Sequence, residues 1–370
     1  MAKNLWAYRG CLLGMAVGDA MGYTVDSKSM AQIREDYGPN GLLGYDLMNG
    51  FAEITSYTQL AAFTCNGLLL GITRGQMQGH MAPLVRYVEH AQREWAASQR
   101  PWGRPGLTHC WLLQEKEMCR RRCMDTWMLD TLSRSPLGTL EESVNNYMPP
   151  ASITAAVGVG LFYDSETMDL QEIRRLGAEA VALTHGSPMA FLPGALLTDL
   201  ITRCLIKSSV SLEKRIEDAL SGFETQFGRQ YPQSSKVVSL VRQAIALAKK
   251  EDMDPIDAME QLRCETGAQV LAGALYACLT CDGDFDSAMI TAVNHSGRSC
   301  AVGSIAGAIL GAILGAKALP EFYLECLEPA MLLIELADDL VQGCPMEMGS
   351  RLFDDDWDRK YLHGGKLEDL

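Results

Sequence analysis

Residues 292–316 read AVNHSGRSCAVGSIAGAILGAILGA, and this stretch decides the fold of the chain. A polar turn at 294–298 precedes an uncharged segment with glycines at every fourth position: Gly303, Gly307, Gly311 and Gly315. Residues four apart lie on one face of an α-helix, so these glycines form a smooth stripe that another backbone can approach closely. Because each glycine costs a helix up to about 1 kcal/mol relative to alanine, four in register indicate a packing partner.

The N-terminal segment supplies a matching stripe. Residues 5–22 read LWAYRGCLLGMAVGDAMG and again carry a glycine at every fourth position: Gly10, Gly14, Gly18 and Gly22. Two helices with matched rows of glycine can pack with their backbones almost in contact. We therefore expect the N-terminal helix to pack against the glycine helix of residues 292–316, which closes the fold end to end.

The length of the apolar run also raises the possibility of a membrane helix. An uncharged run near 18 residues with small residues four apart occurs in membrane spans. Here the run has only the minimum length, is rich in Gly and Ala, lacks an aromatic belt and has no second candidate elsewhere. We interpret it as a buried core helix, and we predict no membrane partner.

The overall charge restricts the partners. The chain has 370 residues, of which 48% are hydrophobic, and a formal net charge of -14. This acidic balance argues against nucleic acid and against anionic membrane surfaces as general partners. An anionic ligand would therefore need a local positive site. Twelve scattered cysteines without a recognisable signal peptide predict a cytoplasmic location.

The periodicity of the chain is helical throughout. No alternating strand pattern and no βαβ repeat is found. The sequence predicts an all-α fold, a single-domain, many-helix orthogonal bundle over residues 1–370. The acidic tail at 353–370 is expected to dock through Trp357 and Tyr361.

One charged segment, residues 108–132, is predicted to be a single surface helix with Arg120–Arg122 on its solvated face. Cys119 and Cys123 flank these arginines, and Cys278–Cys281 forms a lone C-x-x-C pair. Neither pair has a second pair at zinc-finger spacing. Both are therefore interpreted as reduced thiols rather than metal or redox centres.

Polar turns occur where apolar helices begin or end, near Asp19, Thr55, His185 and Asn294. If these helix ends meet, they form one cleft. A buried aspartate without a partner is costly, so Asp19 either caps a neighbouring loop or lines a site shared with the later helix. His185 lies in a short turn between two helices, where a histidine is either a capping group or a site residue.

Taken in order, these turns resemble the ADP-ribosylglycohydrolase family, which includes the dinitrogenase-reductase-activating glycohydrolases. The resemblance covers nearly the whole chain, and its motifs are GCLLGMAVGDAMG at 10–22, TSYTQ at 55–59, THGSPMA at 184–190 and NHSGRSCA at 294–301. It implies an all-helical fold around a cleft that binds ADP-ribose and two magnesium ions. The family reaction is hydrolysis of the bond between ADP-ribose and an arginine, a serine or another acceptor.

The sequence departs from the family at the magnesium ligands. The family's Thr-Asp-Asp motif is replaced by TSY, which leaves Ser56 and Tyr57, and its Asp-x-Asp-Thr motif is replaced by RSCA, with Arg298, Cys300 and Ala301. Magnesium requires hard oxygen ligands, usually including carboxylates. We therefore predict that the metal ligands are lost and that no metal cofactor is bound.

Two further family positions are altered. The family usually has a glutamate after the first glycine stripe, where this chain has Asp26. The glycine-rich substrate loop of the family is NNYMPP at 145–150 here. Asp26 is shorter than glutamate but keeps the negative charge.

The first functional hypothesis is a degenerate, metal-independent binder of an ADP-ribose-like nucleotide sugar or another anionic ligand. Its predicted binding residues are Thr55, Tyr57, Asn294, Ser296, Gly297 and Arg298. Arg298, at the N-terminus of the glycine helix, can hold a phosphate or carboxylate through two hydrogen bonds. Alternatively, Arg298 forms a salt bridge with Asp19 or Asp26 and only fills the former metal site.

A second hypothesis is a metal-free glycoside hydrolase in which Asp19, Asp26 and His185 are the catalytic acid–base groups and Arg298 holds an anion. Glycosidic cleavage can proceed with two carboxylates and no metal. A third hypothesis, a magnesium glycohydrolase with ligands from other positions, is disfavoured because no other aspartate pair lies in a matching turn.

Overall fold

A computed structural model of the chain describes residues 3–100, 108–350 and 352–365. The last five residues of the predicted tail, 366–370, lie outside this description. Within it, the chain forms seventeen α-helices and no β-strand, which confirms the all-α prediction. In chain order they are α1 (Leu5–Tyr23), α2 (Met30–Tyr37), α3 (Ser56–Gln78), α4 (Val85–Ser98), α5 (Thr126–Leu132), α6 (Ala155–Phe162), α7 (Leu170–Ala182), α8 (Pro188–Cys204), α9 (Leu212–Phe227), α10 (Ser234–Ala248), α11 (Pro255–Leu262), α12 (Gly267–Thr280), α13 (Phe285–Val293), α14 (Ser299–Leu314), α15 (Glu321–Glu325), α16 (Ala330–Gln342) and α17 (Asp355–Tyr361).

Helices α1 and α14 pack backbone to backbone through the two glycine stripes. A Cβ atom added to Gly14 would overlap the carbonyl oxygen of Gly307, and one added to Gly18 would overlap that of Gly303. The overlap is reciprocal, since a Cβ on Gly307 would meet the Gly14 carbonyl. This contact confirms the prediction that the two glycine helices meet.

The two glycine helices lie inside a continuous hydrophobic core. Their buried side chains, such as Leu12, Met15 and Ile305, belong to one cluster with Phe63 of α3 and Leu192 of α8. Burial of side chains of this size is the main stabilising contribution to a helical fold.

No helix in the described part of the chain is both long enough and apolar enough to span a bilayer.

The prediction of one helix over 108–132 is wrong. The segment forms two short 3₁₀ turns, Trp111–Gln114 and Lys116–Cys119, before α5 begins. Distant side chains take the backbone groups that a helix would use. The Gln59 amide of α3 donates to the carbonyls of Glu117 and Arg120, at 2.9 and 2.8 Å.

The position of Arg122 also differs from the prediction of a solvated face. Its side chain is buried and pairs with Glu53 at 2.9 Å and with Glu328 at 2.6 Å. It also donates to the backbone carbonyl of Ile54 at 3.0 Å. Arg122 therefore anchors the segment before α5 to the loop that precedes α3.

The C-terminal tail docks as predicted. Trp357 is buried, and its indole N–H donates to the Thr73 hydroxyl of α3 at 2.9 Å. The buried Tyr361 hydroxyl donates to Asp339 of α16 at 2.6 Å. Both aromatic residues therefore join the tail to the central helices.

The glycine contact gives a first prediction. Gly14→Ala places a methyl group against the Gly307 backbone and should lower the free energy of unfolding by about 1–3 kcal/mol or more, as overpacked cores do. Gly44→Ala is the matched control, because nothing lies within 4 Å of the added Cβ. It should change stability by less than about 0.5 kcal/mol. Urea denaturation measures both, and equal effects would contradict the close backbone contact.

Candidate functional site

A cavity of about 420 Å³ opens where three helix ends meet. Asp26 follows the end of α1, Tyr57 lies in the first turn of α3, and Arg298 directly precedes α14. Cys123 and Trp127 also line the cavity. The structure thus brings three of the predicted site residues together and adds one residue from the segment before α5 and one from the first turn of α5.

Asp26 and Arg298 form the charged part of the cavity. The Asp26 carboxylate accepts the backbone N–H of Cys300 at 3.1 Å and lies 3.9 Å from the Arg298 guanidinium. Burial raises the pKa of Asp26, while the Cys300 N–H and Arg298 oppose that shift. Arg298 also donates to the Ser27 hydroxyl at 3.1 Å, and its side chain is 48% exposed. The salt bridge with Asp26, one of the predicted alternatives, is therefore present, and the cation remains accessible.

Two thiols lie beside Asp26, and one of them, Cys300, is at a position that the family resemblance assigns to a magnesium ligand. The sulfur atoms of Cys123 and Cys300 are 3.4 Å apart, and the Cys123 sulfur lies 3.9 Å from an Asp26 oxygen. Magnesium binds oxygen ligands and does not fit a set of two sulfur atoms and one carboxylate. The nearby Arg298 charge would also repel it. Magnesium therefore does not fit these residues.

Aromatic side chains form a wall that separates two cavities. The rings of Trp127 and Tyr147 have centroids 6.1 Å apart, and Trp127 is 65% exposed. Both residues also line a second cavity of about 540 Å³, together with Arg134. The Tyr147 hydroxyl donates to Asp125 at 3.2 Å, which fixes the ring. The cleft therefore offers flat aromatic surface next to the Arg298 cation.

Asp19 is fully buried beneath this cleft. One oxygen accepts the Thr55 hydroxyl at 2.6 Å, and the other accepts the Thr55 N–H and both the N–H and hydroxyl of Thr58, at 2.8, 3.1 and 2.6 Å. Burial raises the pKa of Asp19 to about 6, although these four hydrogen bonds oppose the shift. Asp19 and Thr55 therefore cap the start of α3. Of the two alternatives for Asp19, a cap or a residue that lines the site, these contacts match the cap.

His185 also lies behind the cavity wall. It is buried, its Nδ1 is 2.8 Å from the Ser152 hydroxyl and 2.9 Å from the Thr184 hydroxyl, and its ring packs against Tyr147 at 5.2 Å. Burial lowers its pKa to about 4, so the ring is neutral at pH 7. His185 therefore packs behind the Tyr147 ring and does not face the cavity.

The turn before α14 is held by structural hydrogen bonds. The Asn294 side-chain amide makes two hydrogen bonds to the backbone of Leu42. Its oxygen accepts the Leu42 N–H and its nitrogen donates to the Leu42 carbonyl, each at 2.8 Å. The Ser296 hydroxyl accepts the Met30 N–H at 2.9 Å, and the Gly297 N–H donates to His295 at 2.9 Å. These residues orient Arg298.

Two of the substituted metal positions are also structural. The Ser56 hydroxyl donates to the Cys123 carbonyl at 2.9 Å, and Ala301 is buried in α14. The Ser56 bond helps to position the Cys123 backbone beside the cavity.

Sequence reasoning missed Cys123, Asp125 and Trp127. The error followed from the predicted long helix, which placed all three on a surface element. One signal was present: Asp125 is the N-cap of α5 and accepts the Met128 N–H at 3.0 Å. An Asp-Thr pair before an apolar helical turn is typical of a helix start, and it indicates a break in the segment.

The model of the ADP-ribosylglycohydrolase family matches residues 3–349. The chain belongs to the ADP-ribosylglycohydrolase family. This chain is also similar to a solved structure described as an ADP-ribosylglycohydrolase-related protein complex, with 20% sequence identity and a TM-score of 0.57. The match covers 91% of this chain and 98% of the chain in that structure. At that identity it supports the glycohydrolase fold, and no curated protein matches the sequence.

The Asp19 cap gives a prediction about pH. The folded pKa of about 6 exceeds the usual value of 3.8, so the folded state binds a proton more tightly than the unfolded state. The contribution of Asp19 to stability is therefore fully present below about pH 4 and decreases as the pH rises to about 6. Urea denaturation of wild type and Asp19→Asn tests this. As the pH rises from about 4 to about 6, the free energy of unfolding of the wild type should fall relative to that of Asp19→Asn. A difference independent of pH would contradict the raised pKa.

Proposed function

We propose that the cleft binds an ADP-ribose-like nucleotide sugar, or another anionic ligand of similar shape, without magnesium. The observation that carries this proposal is the half-exposed Arg298 cation beside the cavity, at a position where the family has a metal carboxylate. We infer that binding takes place in a reducing cytoplasm, where Cys123 and Cys300 remain free thiols.

The charge of the site supports an anionic ligand. The chain carries a net charge of -14, so an anion needs a local cation to overcome the general repulsion. Arg298 provides it with a planar guanidinium that can donate two parallel hydrogen bonds to a phosphate. Its contact with Asp26 is long, at 3.9 Å, so a phosphate can compete for the guanidinium.

The aromatic wall supports a nucleotide rather than a simple anion. Trp127 is exposed, lies beside Tyr147 and faces the same cavity as Arg298. A base stacked on an aromatic ring gains about 1–3 kcal/mol. An aromatic surface and a cation in one cleft match the base and the phosphates of a nucleotide sugar.

The contacts favour binding over metal-free hydrolysis. Asp19 is fully buried with its oxygens occupied by Thr55 and Thr58. Asp125, the second carboxylate of the cavity, accepts bonds from the α5 backbone and from Tyr147. Hydrolysis on two carboxylates needs a pair free to face the glycosidic bond, so only Asp26 among these three is suitably placed.

The Arg298 proposal is tested by titration calorimetry with ADP-ribose. Arg298→Ala should weaken binding about 10- to 150-fold, since hydrogen bonds to a charged group contribute about 1.5–3 kcal/mol. Arg229→Ala, which removes an exposed arginine between α9 and α10, is the control and should leave the affinity unchanged.

The same titration tests the role of the metal. If binding is independent of magnesium, as proposed, the dissociation constant should be equal in EDTA and in excess magnesium. Magnesium-dependent cleavage of ADP-ribosyl-arginine or ADP-ribosyl-serine would contradict the proposal.

The aromatic wall gives a separate prediction. Trp127→Ala should weaken ADP-ribose binding by about 1–3 kcal/mol through loss of base stacking. Trp127→Phe should retain most of the affinity. Ribose 5-phosphate, which has no base, should bind wild type and both variants equally, and an equal loss for both ligands would show that Trp127 does not contact a base.

A further inference from the structure

Three potential metal ligands outside the cleft converge between α4 and the segment that precedes α5. His90 and Glu94 lie one turn apart on α4, and His109 comes from the segment that precedes α5. The Glu94 Oε1 atom is 3.0 Å from His90 Nε2 and 3.1 Å from His109 Nδ1, and the two ring nitrogens are 2.9 Å apart. The three atoms therefore form a nearly equilateral triangle.

Protons alone cannot satisfy this triangle. Each edge needs one donor and one acceptor, and the ionised Glu94 oxygen is always an acceptor. If only one of the two histidine nitrogens carries a proton, the other nitrogen and the Glu94 oxygen are two acceptors in contact. If both nitrogens carry a proton, two N–H donors are in contact. At least one edge is therefore mismatched in every protonation state, whereas a cation attracts all three lone pairs at once.

We propose that His90, Glu94 and His109 bind a divalent transition metal of the zinc class, with water in the remaining positions. Zinc binds histidine nitrogen and carboxylate oxygen at about 2.0–2.2 Å, which places neighbouring ligands about 3.0–3.5 Å apart. The observed separations of 2.9, 3.0 and 3.1 Å lie at or just below the short end of that range. Two imidazoles and one carboxylate also form the ligand set that such ions prefer.

The supporting hydrogen bonds hold the carboxylate in place. Both Glu94 oxygens accept the backbone N–H of His109, at 2.8 Å for Oε1 and 3.0 Å for Oε2, and Oε2 also accepts the Cys110 N–H at 2.9 Å. Outer hydrogen bonds of this kind orient metal ligands. The side chains of His90 and His109 are 40% and 26% exposed, so an ion can enter from solvent and retain water.

A metal at this site would fasten the segment that leads to the cleft. His109 precedes Arg122 and Cys123 in the segment that leads to α5. An ion shared with His90 and Glu94 would tie this stretch to α4. Binding to the folded state alone raises thermal stability with metal concentration.

The test uses full-length protein stripped with EDTA and titrated with Co²⁺, followed by calorimetry with Zn²⁺. One equivalent of Co²⁺ should bind with visible d–d absorption and without a sulfur-to-cobalt band in the near ultraviolet. His90→Ala and His109→Ala should each weaken Zn²⁺ binding more than about 100-fold, since loss of an outer partner alone costs about 10–100-fold. His80→Ala, at an exposed histidine outside the triangle, is the matched control and should bind as wild type.

Folding is checked by circular dichroism, and His90→Gln at the more exposed position provides a milder variant that should show the same loss of Zn²⁺ binding. Zn²⁺ should raise the melting temperature of wild type and His80→Ala but not of the triangle variants. Absence of binding to wild type would overturn the proposal. Binding that survives in the triangle variants, or a sulfur-to-cobalt band that disappears in Cys123→Ser, would place the ion elsewhere and also overturn it.

Discussion

The close contact between α1 and α14 determines the geometry of the cleft. Glycines at matched positions let the two backbones meet, as Gly18 does with Gly303. The contact extends to the helix ends, where Gly22 lies against the Ser299 backbone. This brings Asp26, three residues past the end of α1, to the first turn of α14, where it accepts a hydrogen bond from the Cys300 N–H. The site is therefore built on two helices that cannot slide or separate without losing a continuous buried interface.

The electrostatics of this cleft suit exchange with a ligand. The ion pair of Arg298 and Asp26 is 3.9 Å long, and the arginine is half exposed. The contact is longer than a hydrogen bond, so moving the guanidinium to a phosphate breaks no hydrogen bond to Asp26. Asp26 also accepts a hydrogen bond from the α14 backbone, which does not depend on Arg298. In contrast, Arg122 is buried between two glutamates, and removing it would leave both carboxylates without their cation. The two arginines therefore differ in role: Arg298 is available to a ligand and Arg122 is structural.

Features that depend on neighbouring residues in the sequence could be predicted, whereas features that depend on distant contacts could not. The glycine stripes follow from local spacing and residue type, and the prediction that their helices meet was confirmed. The segment 108–132 was mispredicted because its backbone bonds to the side chains of Gln59 and Glu94, far away in the sequence. A helical pattern carries no information about such partners. The same error concealed the wall of the cleft, since Cys123 and Trp127 enter it from this segment.

The segment before α5 links the cleft to the histidine triangle. It is fixed at its start by Glu94, in its middle by the Gln59 amide and near its end by Arg122, which pairs with Glu53 beside α3. The first anchor lies beside His90 and His109, whose side chains are partly exposed. An ion bound there would hold the start of the segment against α4. Because the segment contains only two short 3₁₀ turns before α5, its shape depends on these anchors rather than on a ladder of helical hydrogen bonds. The position of Cys123 in the cleft is therefore set by tertiary contacts.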